Sequence, residues 1–272
     1  MKYLRSLRGK FEKKHFDLLI KKGINSSSIR KKRTKYPGLA SFTMLEDELY
    51  FEIISSLRNA DSFSDRRMMV VFDEEELKSY KYFFLKSIVP VAVTAYERVV
   101  CGSCRRDDSG SSYHNHFEKL PILSDKNLFG RSGSFNPYYI TDLKRYALLK
   151  DRFSLKSKPI YFGKNKVESK DYVGLDIPIS TSALEFSDSE FGSIYHQCGN
   201  CQSTFFNDAI DLFPRFEQEQ EFDICLTQEK FVPWFRCLIV SYDFVKFLVQ
   251  FGMLSWGPYH LIPVKGSEKL KT

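Results

Sequence analysis

The sequence predicts an α+β protein made of two similar strand–helix–strand units, each preceded by a Cys-Gly-x-Cys motif. The two motifs, "CGSC" at 101–104 and "CGNC" at 198–201, hold four of the six cysteines. A hydroxyl residue able to begin a helix follows each of them, Thr141 at 37 residues after Cys104 and Ser241 at 40 residues after Cys201. This matched spacing favours an internal duplication, although strand–helix–strand units also recur by chance.

The spacing of apolar residues, together with glycine and polar stretches that end an element, predicts the elements before the first motif. Residues 3–22 place leucine and phenylalanine at approximately helical intervals and end at Gly23, which predicts a helix. The polar stretch "NSSSIRKKRTKYPG" then predicts an exposed linker. A strand leading into a helix is expected over about 45–57, and a second strand over 66–72.

Later elements follow the same signals. Asp73 precedes three glutamates, so it is expected to cap a helix whose first turn carries favourable negative charge. The β-branched run at 88–100 predicts a strand entering the first motif. The two matched units are then expected at 133–162 and 232–264, each with an aromatic-rich strand, a helix and a returning strand that contains proline.

The net charge of +7 is unevenly distributed along the chain. Residues 1–35 contain 13 Lys and Arg against two acidic residues, and the remainder of the chain is slightly acidic. Such a segment is either a solvated basic surface or a contact for nucleic acid or another anionic surface. We therefore expect three parts: a basic helical segment with its linker at 1–35, a first α+β unit at 36–197, and a second at 198–272.

The four motif cysteines have the composition of a structural zinc site. Each Cys-x-x-Cys turn supplies two thiolates from one tight loop, and two such turns complete a tetrahedral Cys₄ site. The predicted ligands of one shared Zn²⁺ are Cys101, Cys104, Cys198 and Cys201. The long separation between the pairs is tolerable because the entropy of loop closure grows slowly with loop length.

Two alternatives stay open for these motifs. His114, His116 and His196 lie close enough in sequence to replace a cysteine, although exposed loop histidines are the commoner interpretation. Paired cysteines also carry out thiol–disulfide exchange, usually at a helix N-terminus, whereas the first motif here continues into a polar loop. Cys225 and Cys237 lie among apolar residues and are expected to be core thiols.

No catalytic constellation is recognisable, so the chain is not expected to be an enzyme. It lacks a glycine-rich phosphate loop, a GxSxG motif and an HExxH motif. The acidic stretch at 207–223 is a different kind of candidate, a surface that docks a basic protein partner rather than an ordinary solvated loop. Its acidic residues are Asp208, Asp211, Glu217, Glu219, Glu221 and Asp223.

Targeting signals are also lacking. Charges interrupt every apolar run near the N-terminus before a signal peptide could form, and no run is long enough to span a bilayer. A cytoplasmic location is expected, where paired cysteines are more often metal ligands than disulfides.

Two Cys-x-x-Cys knuckles in one chain, with a C-terminal unit reading "RCLIVSYDFVKFLVQFGMLSWGPYHLIPV", resemble the double-CXXCG motif immunity proteins of bacterial toxin systems. The similarity covers about residues 90–264. It departs from the family pattern at Gly102 and Gly199, which follow the first cysteine of each motif, so that Arg105 and Gln202 occupy the usual glycine positions. The resemblance implies a non-catalytic protein that binds and neutralises a cognate toxin and uses its cysteines structurally. The alternative function is a zinc-ribbon protein that binds nucleic acid through the basic N-terminal segment.

Overall fold

The computed structural model describes residues 2–24, 29–31, 39–58, 60–86, 88–91, 116–117, 123, 129–132, 139–186, 194–197, 200, 204–206, 213–231, 235–257 and 260–269. It divides into two compact units, Met1–Phe72 and Asp73–Thr272. This division differs from the expected boundaries because the basic segment 1–35 shares one sheet and one core with the residues that follow it.

The first unit contains β1 (Lys2–Lys10), α1 (Lys13–Lys21), β2 (Arg30–Lys31), β3 (Leu39–Leu45), α2 (Glu48–Leu57) and β4 (Asp61–Val71). Its strands form one antiparallel sheet in the order β2-β3-β1-β4. A β-α-β-β-α-β chain with this strand order has the split βαβ topology called ferredoxin-like.

The expected helix over 3–22 is only partly correct. Its second half is α1, which ends before Gly23 at φ +84°. Its first half is instead the central strand β1, paired with β3 on one side and β4 on the other. The sequence did not indicate this strand because Arg5, a charged residue, occupies a position on the half-buried side of the sheet and so interrupts the alternation of apolar and polar residues.

Other expectations for the first unit are confirmed or extended. The strand and helix over 45–57 are the end of β3 and α2, and the strand at 66–72 lies within β4. The expected linker differs, because it contains β2 and the buried side chain of Ile29. The core of this unit combines sheet residues such as Leu7 and Phe42 with helix residues such as Leu19 and Ile53.

The second unit begins with α3 (Glu74–Lys78), β5 (Tyr82–Leu85), β6 (Ile88–Val91), β7 (His116–Phe117), β8 (Phe129–Ser132), β9 (Tyr139–Asp142) and α4 (Leu143–Phe153). It continues with β10 (Lys156–Lys158), β11 (Tyr161–Phe162), β12 (Val167–Glu168), β13 (Tyr172–Asp176), β14 (Ile194–Gln197) and β15 (Thr204–Phe206). It ends with β16 (Ile224–Phe231), β17 (Phe235–Ser241), α5 (Tyr242–Gln250) and β18 (Leu261–Pro263). Helices and antiparallel sheets therefore coexist, as the α+β prediction requires.

Two larger sheets of this unit share a topology. One has the order β10-β13-β9-β8-β6, and the other contains β18-β5-β17-β16-β15 with β14 added at its end. In both, the first three pairings along these orders are antiparallel and the fourth is parallel. The strand–helix–strand units expected at 133–162 and 232–264 thus occupy equivalent places in two similar sheets.

Aromatic side chains pack these two parts together. The ring of Phe153, the last residue of α4, lies 4.6 Å from that of Phe244 and 5.3 Å from that of Phe247 on α5. The hydroxyl of Tyr139 on β9 donates a hydrogen bond of 3.3 Å to the carbonyl of Arg236 on β17. None of the helices in the described part of the chain is long and apolar enough to cross a membrane.

Candidate functional site

The predicted zinc ligands lie outside the described residues. This holds for Cys101, Cys104, Cys198 and Cys201 and for the alternative ligand His114. His116 lies in β7 and His196 in β14, but the structure describes only the backbone of these two histidines. Gln197, the last residue of β14, pairs with Thr204, the first of β15, so the second motif connects two paired strands. Within the described ranges, no group of three or more His, Cys, Asp or Glu residues is arranged to hold a metal ion.

The acidic stretch is described only in its second part. Asp208 and Asp211 lie outside the described residues, whereas the side chains of Glu217, Glu219, Glu221 and Asp223 are all exposed. Of the residues between them, Gln218 is exposed, whereas Gln220 and Phe222 are half-buried. We call residues 217–223 the acidic segment. Over residues 219–223 the side chains alternate, with the carboxylates directed to solvent and Gln220 and Phe222 directed toward the protein.

Backbone and side-chain hydrogen bonds hold the acidic segment in place at both ends. The amide of Glu217 donates to the carbonyl of Ala183 (2.9 Å), and the amide of Ser241 donates to the carbonyl of Asp223 (2.8 Å). In the middle, the hydroxyl of Tyr82 donates to the carbonyl of Gln220 (2.9 Å). The carboxylates therefore project from an anchored segment, so ordering them on binding costs little conformational entropy.

A cleft of about 760 Å³ lies beside the acidic segment. Four carboxylates line it: Glu219, Glu221 and Asp223 from the segment and Asp243 from the first turn of α5. A second cleft of about 340 Å³ shares Glu219 with the first and includes Glu217. The acidic segment is thus flanked by concave surface on which a partner's side chains can be enclosed.

Aromatic rings form part of the larger cleft. The rings of Tyr82 and Phe222 stack with centroids 4.5 Å apart and planes 20° apart. Burial, reinforced by the charge of Glu221, raises the pKa of Tyr82, so its phenol is neutral at physiological pH. Ring faces beside carboxylates suit a cation, because the electron-rich face and the negative charge both attract it.

Two lysines of the chain, Lys81 and Lys269, also line this cleft, and the ammonium nitrogen of Lys81 lies 3.8 Å from Oε1 of Glu219. The ammonium nitrogen of Lys269 is 2.8 Å from the ring centroid of Tyr242 and donates a hydrogen bond of 2.9 Å to the carbonyl of Lys78. Burial lowers the pKa of Lys269, and the nearby carboxylate of Asp243 opposes this effect. The cleft therefore has the chemistry to accommodate a primary ammonium group.

Cys225 and Cys237 are both buried in the core, which confirms their assignment as core thiols. Burial raises the pKa of Cys225 far above its ordinary value, so its thiol stays protonated. A protonated thiol is a poor nucleophile and a poor metal ligand. These two residues accordingly support the core rather than a reactive site.

Sequence reasoning located the acidic segment but missed the residues opposite it. Tyr82 and Gln220 are 138 residues apart in the chain, and Lys269 and Lys78 are 191 apart. In the sequence, Tyr82 belongs to an apolar run that indicates a strand and gives no sign of a binding site. Asp243 alone carried a local signal, as an acid in the first turn of a helix.

Comparison of the chain with protein-family models, with curated proteins and with solved structures gives no match.

Proposed function

We propose that this chain is an immunity protein that binds a cognate bacterial toxin and neutralises it without catalysis. What supports the proposal most directly is the anchored row of exposed carboxylates beside an aromatic-lined cleft. The sequence resemblance over residues 90–264 supports it independently. In this proposal the acidic segment contacts a cationic surface of the toxin.

Physical complementarity explains how such a contact inhibits. Lysine and arginine side chains of the toxin pair with Glu217, Glu219 and Glu221, and one of them enters the cleft beside Tyr82 and Phe222. Charge complementarity speeds the encounter and rejects acidic partners, and enclosure in the cleft slows dissociation. A toxin that acts on an anionic substrate such as nucleic acid uses cationic residues for that purpose, so covering them blocks its activity.

Co-expression tests this function. The product of the gene adjacent to this one is expressed with or without this chain, and growth of the host is measured. We expect growth arrest by the neighbour alone and rescue by the wild-type chain. Glu219→Lys/Glu221→Lys is expected to abolish rescue, because two attractive contacts become repulsive.

The matched control is Asp151→Lys/Glu168→Lys, which makes the same charge change at two exposed positions away from the acidic segment. It is expected to rescue like the wild type. Equal loss of rescue in both double variants would show a net-charge effect and reject the acidic segment as the contact. An adjacent gene product that is harmless alone would reject the immunity function.

We also propose that Cys101, Cys104, Cys198 and Cys201 hold one structural Zn²⁺ in the second unit. The donor set supports this, since four thiolates in two paired turns form a closed tetrahedral site. Zinc content of the purified protein is expected to be one per chain, and to be lost in Cys198→Ser together with stability. Cys225→Ala, which changes a core thiol, is expected to keep the zinc.

Full retention of zinc in Cys198→Ser would instead indicate separate local sites, such as one completed by His114 and His116, or adventitious binding, and would reject the shared site. The proposal places the chain in the cytoplasm of the producing cell. Reducing conditions there keep paired cysteines available as thiolate ligands.

A further inference from the structure

The two helices described in the first unit, α1 and α2, leave one face of its sheet uncovered. Core residues of the sheet, including Leu7 and Phe42, share a single cluster with Leu19 of α1 and with Ile53 of α2. Both helices therefore cover the same face. Side chains alternate between faces along a strand, so the neighbours of Leu7, Ser6 and Arg8, lie on the other one.

The strand register defines this second face, which we call the open face. Directly paired residues in an antiparallel sheet lie on the same side. Arg8 pairs with Ser41 on β3 and Ser64 on β4, and Ser6 pairs with Thr43 on β3. The side chains of Arg8, Thr43 and Ser64 are exposed, as is that of Lys10.

Two further arginines belong to the same rows. Arg30 of β2 pairs with Ser41, and Arg66 of β4 pairs with Ser6. The register thus places Arg30, Ser41, Arg8 and Ser64 in one row across all four strands. The neighbouring row contains Thr43, Ser6 and Arg66. Arginine and small hydroxyl residues make up both rows completely.

Acidic residues of this unit are segregated from the open face. The unit has 16 Lys and Arg residues and eight acidic residues, and carries +8 of the net charge. Seven of the acidic residues lie in the two helices, just before the N-terminus of a helix, or on the core side of the sheet. The eighth, Asp61, pairs with an open-face residue, Lys10. Arg5, Lys14 and Lys22 are neutralised by such acids. Among the side chains that the structure describes, the ion pairs of this unit include neither Arg8 nor Lys10.

We propose that the open face binds the phosphate backbone of double-helical nucleic acid. Arginine binds phosphate oxygens in a bidentate manner, and serine and threonine hydroxyls are common donors to phosphate. Single-strand binding uses aromatic rings on which bases stack, and the described open-face positions carry none. The duplex offers the highest density of phosphate charge, which is what a surface of cations and hydroxyls recognises.

The chemistry of this face predicts binding without base specificity. Its contacts are to phosphate groups, which fix position but carry no sequence information. This function is independent of toxin binding, because it uses residues of the first unit alone. Either proposal can fail while the other stands.

Fluorescence anisotropy with a labelled DNA duplex of about 20 base pairs tests the proposal, titrated with the full chain between about 50 and 200 mM NaCl. The logarithm of the binding constant is expected to fall linearly with that of the salt concentration. Arg8→Gln/Lys10→Gln is expected to reduce the magnitude of the slope by about 2, because each phosphate contact contributes about 0.9. A single strand of the same sequence is expected to bind more weakly.

The matched control is Lys13→Gln/Lys21→Gln, which removes two exposed cations of α1. It is expected to leave the slope nearly unchanged. A second pair of variants adds a cation instead, because an increase in the slope cannot result from loss of folding. Thr43→Lys on the open face is expected to steepen the slope by about 0.9, whereas Ser56→Lys on α2 is expected to leave it unchanged. Absent binding at low salt, equal effects in each matched pair, or tighter binding of the single strand would overturn the proposal.

Discussion

Arg5 forms a network of hydrogen bonds and ion pairs within the first unit. Its guanidinium donates two hydrogen bonds to the carboxylate of Asp65, at 3.0 and 2.6 Å, and one of 2.9 Å to the hydroxyl of Tyr50. Tyr50 in turn donates to Asp65 at 2.5 Å. The hydrogen bond to Asp65 raises the pKa of Arg5, so the charge is stable despite partial burial. This network joins β1, α2 and β4.

Asp65→Asn is expected to destabilise the first unit by about 2 kcal/mol, because Arg5 loses its charged acceptor while remaining largely buried. Urea unfolding followed by circular dichroism measures the change. Asp17→Asn, at an exposed position of α1, serves as the control and is expected to have little effect. Equal stability of the two variants would show that the network contributes nothing measurable.

Glu229 is a half-buried carboxylate of the second unit, with its Oε2 shielded from solvent. Its Oε1 accepts a hydrogen bond of 2.9 Å from the amide of Leu184, whereas its Oε2 has no partner among the described residues. Burial raises the pKa of Glu229, with the charge of Arg236 opposing the effect. Ionisation of Glu229 therefore costs more in the folded protein than in the unfolded chain.

This cost makes the effect of Glu229→Gln depend on pH. Below the ordinary glutamate pKa the carboxyl is protonated in both states, and no penalty exists. As the pH rises through the higher folded pKa, the wild type loses stability that the neutral variant keeps. The free energy of unfolding, measured by urea titration from pH 4 to pH 8, is expected to shift in favour of the variant. A difference independent of pH would contradict the raised pKa.

At the scale of elements, short polar side chains determine where helices begin. Asp47 accepts a hydrogen bond from the amide of Tyr50, Asp142 from that of Arg145, and Ser241 from that of Phe244. Asp73 and Glu76 form a reciprocal capping box at α3, as expected. Gly252, expected at the end of α5, has φ +68° just after the helix, a conformation that glycine adopts without strain.

The first of the matched helices begins one residue later than expected. Thr141 is fully buried in β9, and the cap of α4 is Asp142, whose carboxylate also pairs with Arg145 at 2.7 Å. By sequence, Thr141 and Asp142 are both suitable N-cap residues. Burial of Thr141 within β9 leaves Asp142 as the N-cap of α4. Ser241, the equivalent cap of α5, is confirmed.

Asp142→Ala is therefore expected to cost about 1 kcal/mol of stability, the usual contribution of an N-cap. Asp142→Asn keeps a capping oxygen and is expected to cost less. Thermal unfolding of the two variants measures the difference. Identical melting temperatures for Asp142→Ala and the wild type would exclude a contribution from this cap.

At the scale of the whole molecule, a strand from the N-terminal end of the second unit, β5, belongs to the sheet formed by the C-terminal strands of that unit. β5 lies between β17 and β18, which are far from it in the chain. In the equivalent sheet, β13 occupies this place between β9 and β10 and follows them in the chain. Phe83 and Leu85 of β5 are fully buried. The C-terminal sheet is thus completed by residues that precede both cysteine motifs.

This topology predicts different outcomes for two truncations. A fragment of residues 73–272 is expected to unfold cooperatively, because it contains every strand of its unit. A fragment of residues 87–272 lacks β5 and is expected not to fold, because β17 and β18 lose their shared partner. Urea unfolding followed by tryptophan fluorescence distinguishes them. Cooperative unfolding of the shorter fragment would show that β5 is dispensable.

Charge also divides by unit. The first unit carries +8 and the second −1, which sum to the net +7. The sequence located the excess in residues 1–35, but the sheet register determines which basic residues share a face. Two surfaces of opposite character, the open face and the acidic segment, therefore belong to different compact units.

Local signals in the sequence determined the α+β class, the starts of α3 and α5, and the matched units around α4 and α5. Capping residues, glycines and apolar periodicity act within a few residues, so they can be recognised without the fold. The acidic segment was recognisable for the same reason. These features are the part of the candidate site that the sequence by itself established.

Tertiary structure alone decided what depends on distant pairing. The segment containing Arg5 is a strand because β3 and β4 pair with it, against a pattern that also fits a helix. The cleft exists because Tyr82, Asp243 and Lys269, far apart in the chain, meet beside the acidic segment. At such places, each non-local hydrogen bond and each buried side chain stabilises by about as much as the local conformational preference of one residue. Their sum therefore outweighs that preference.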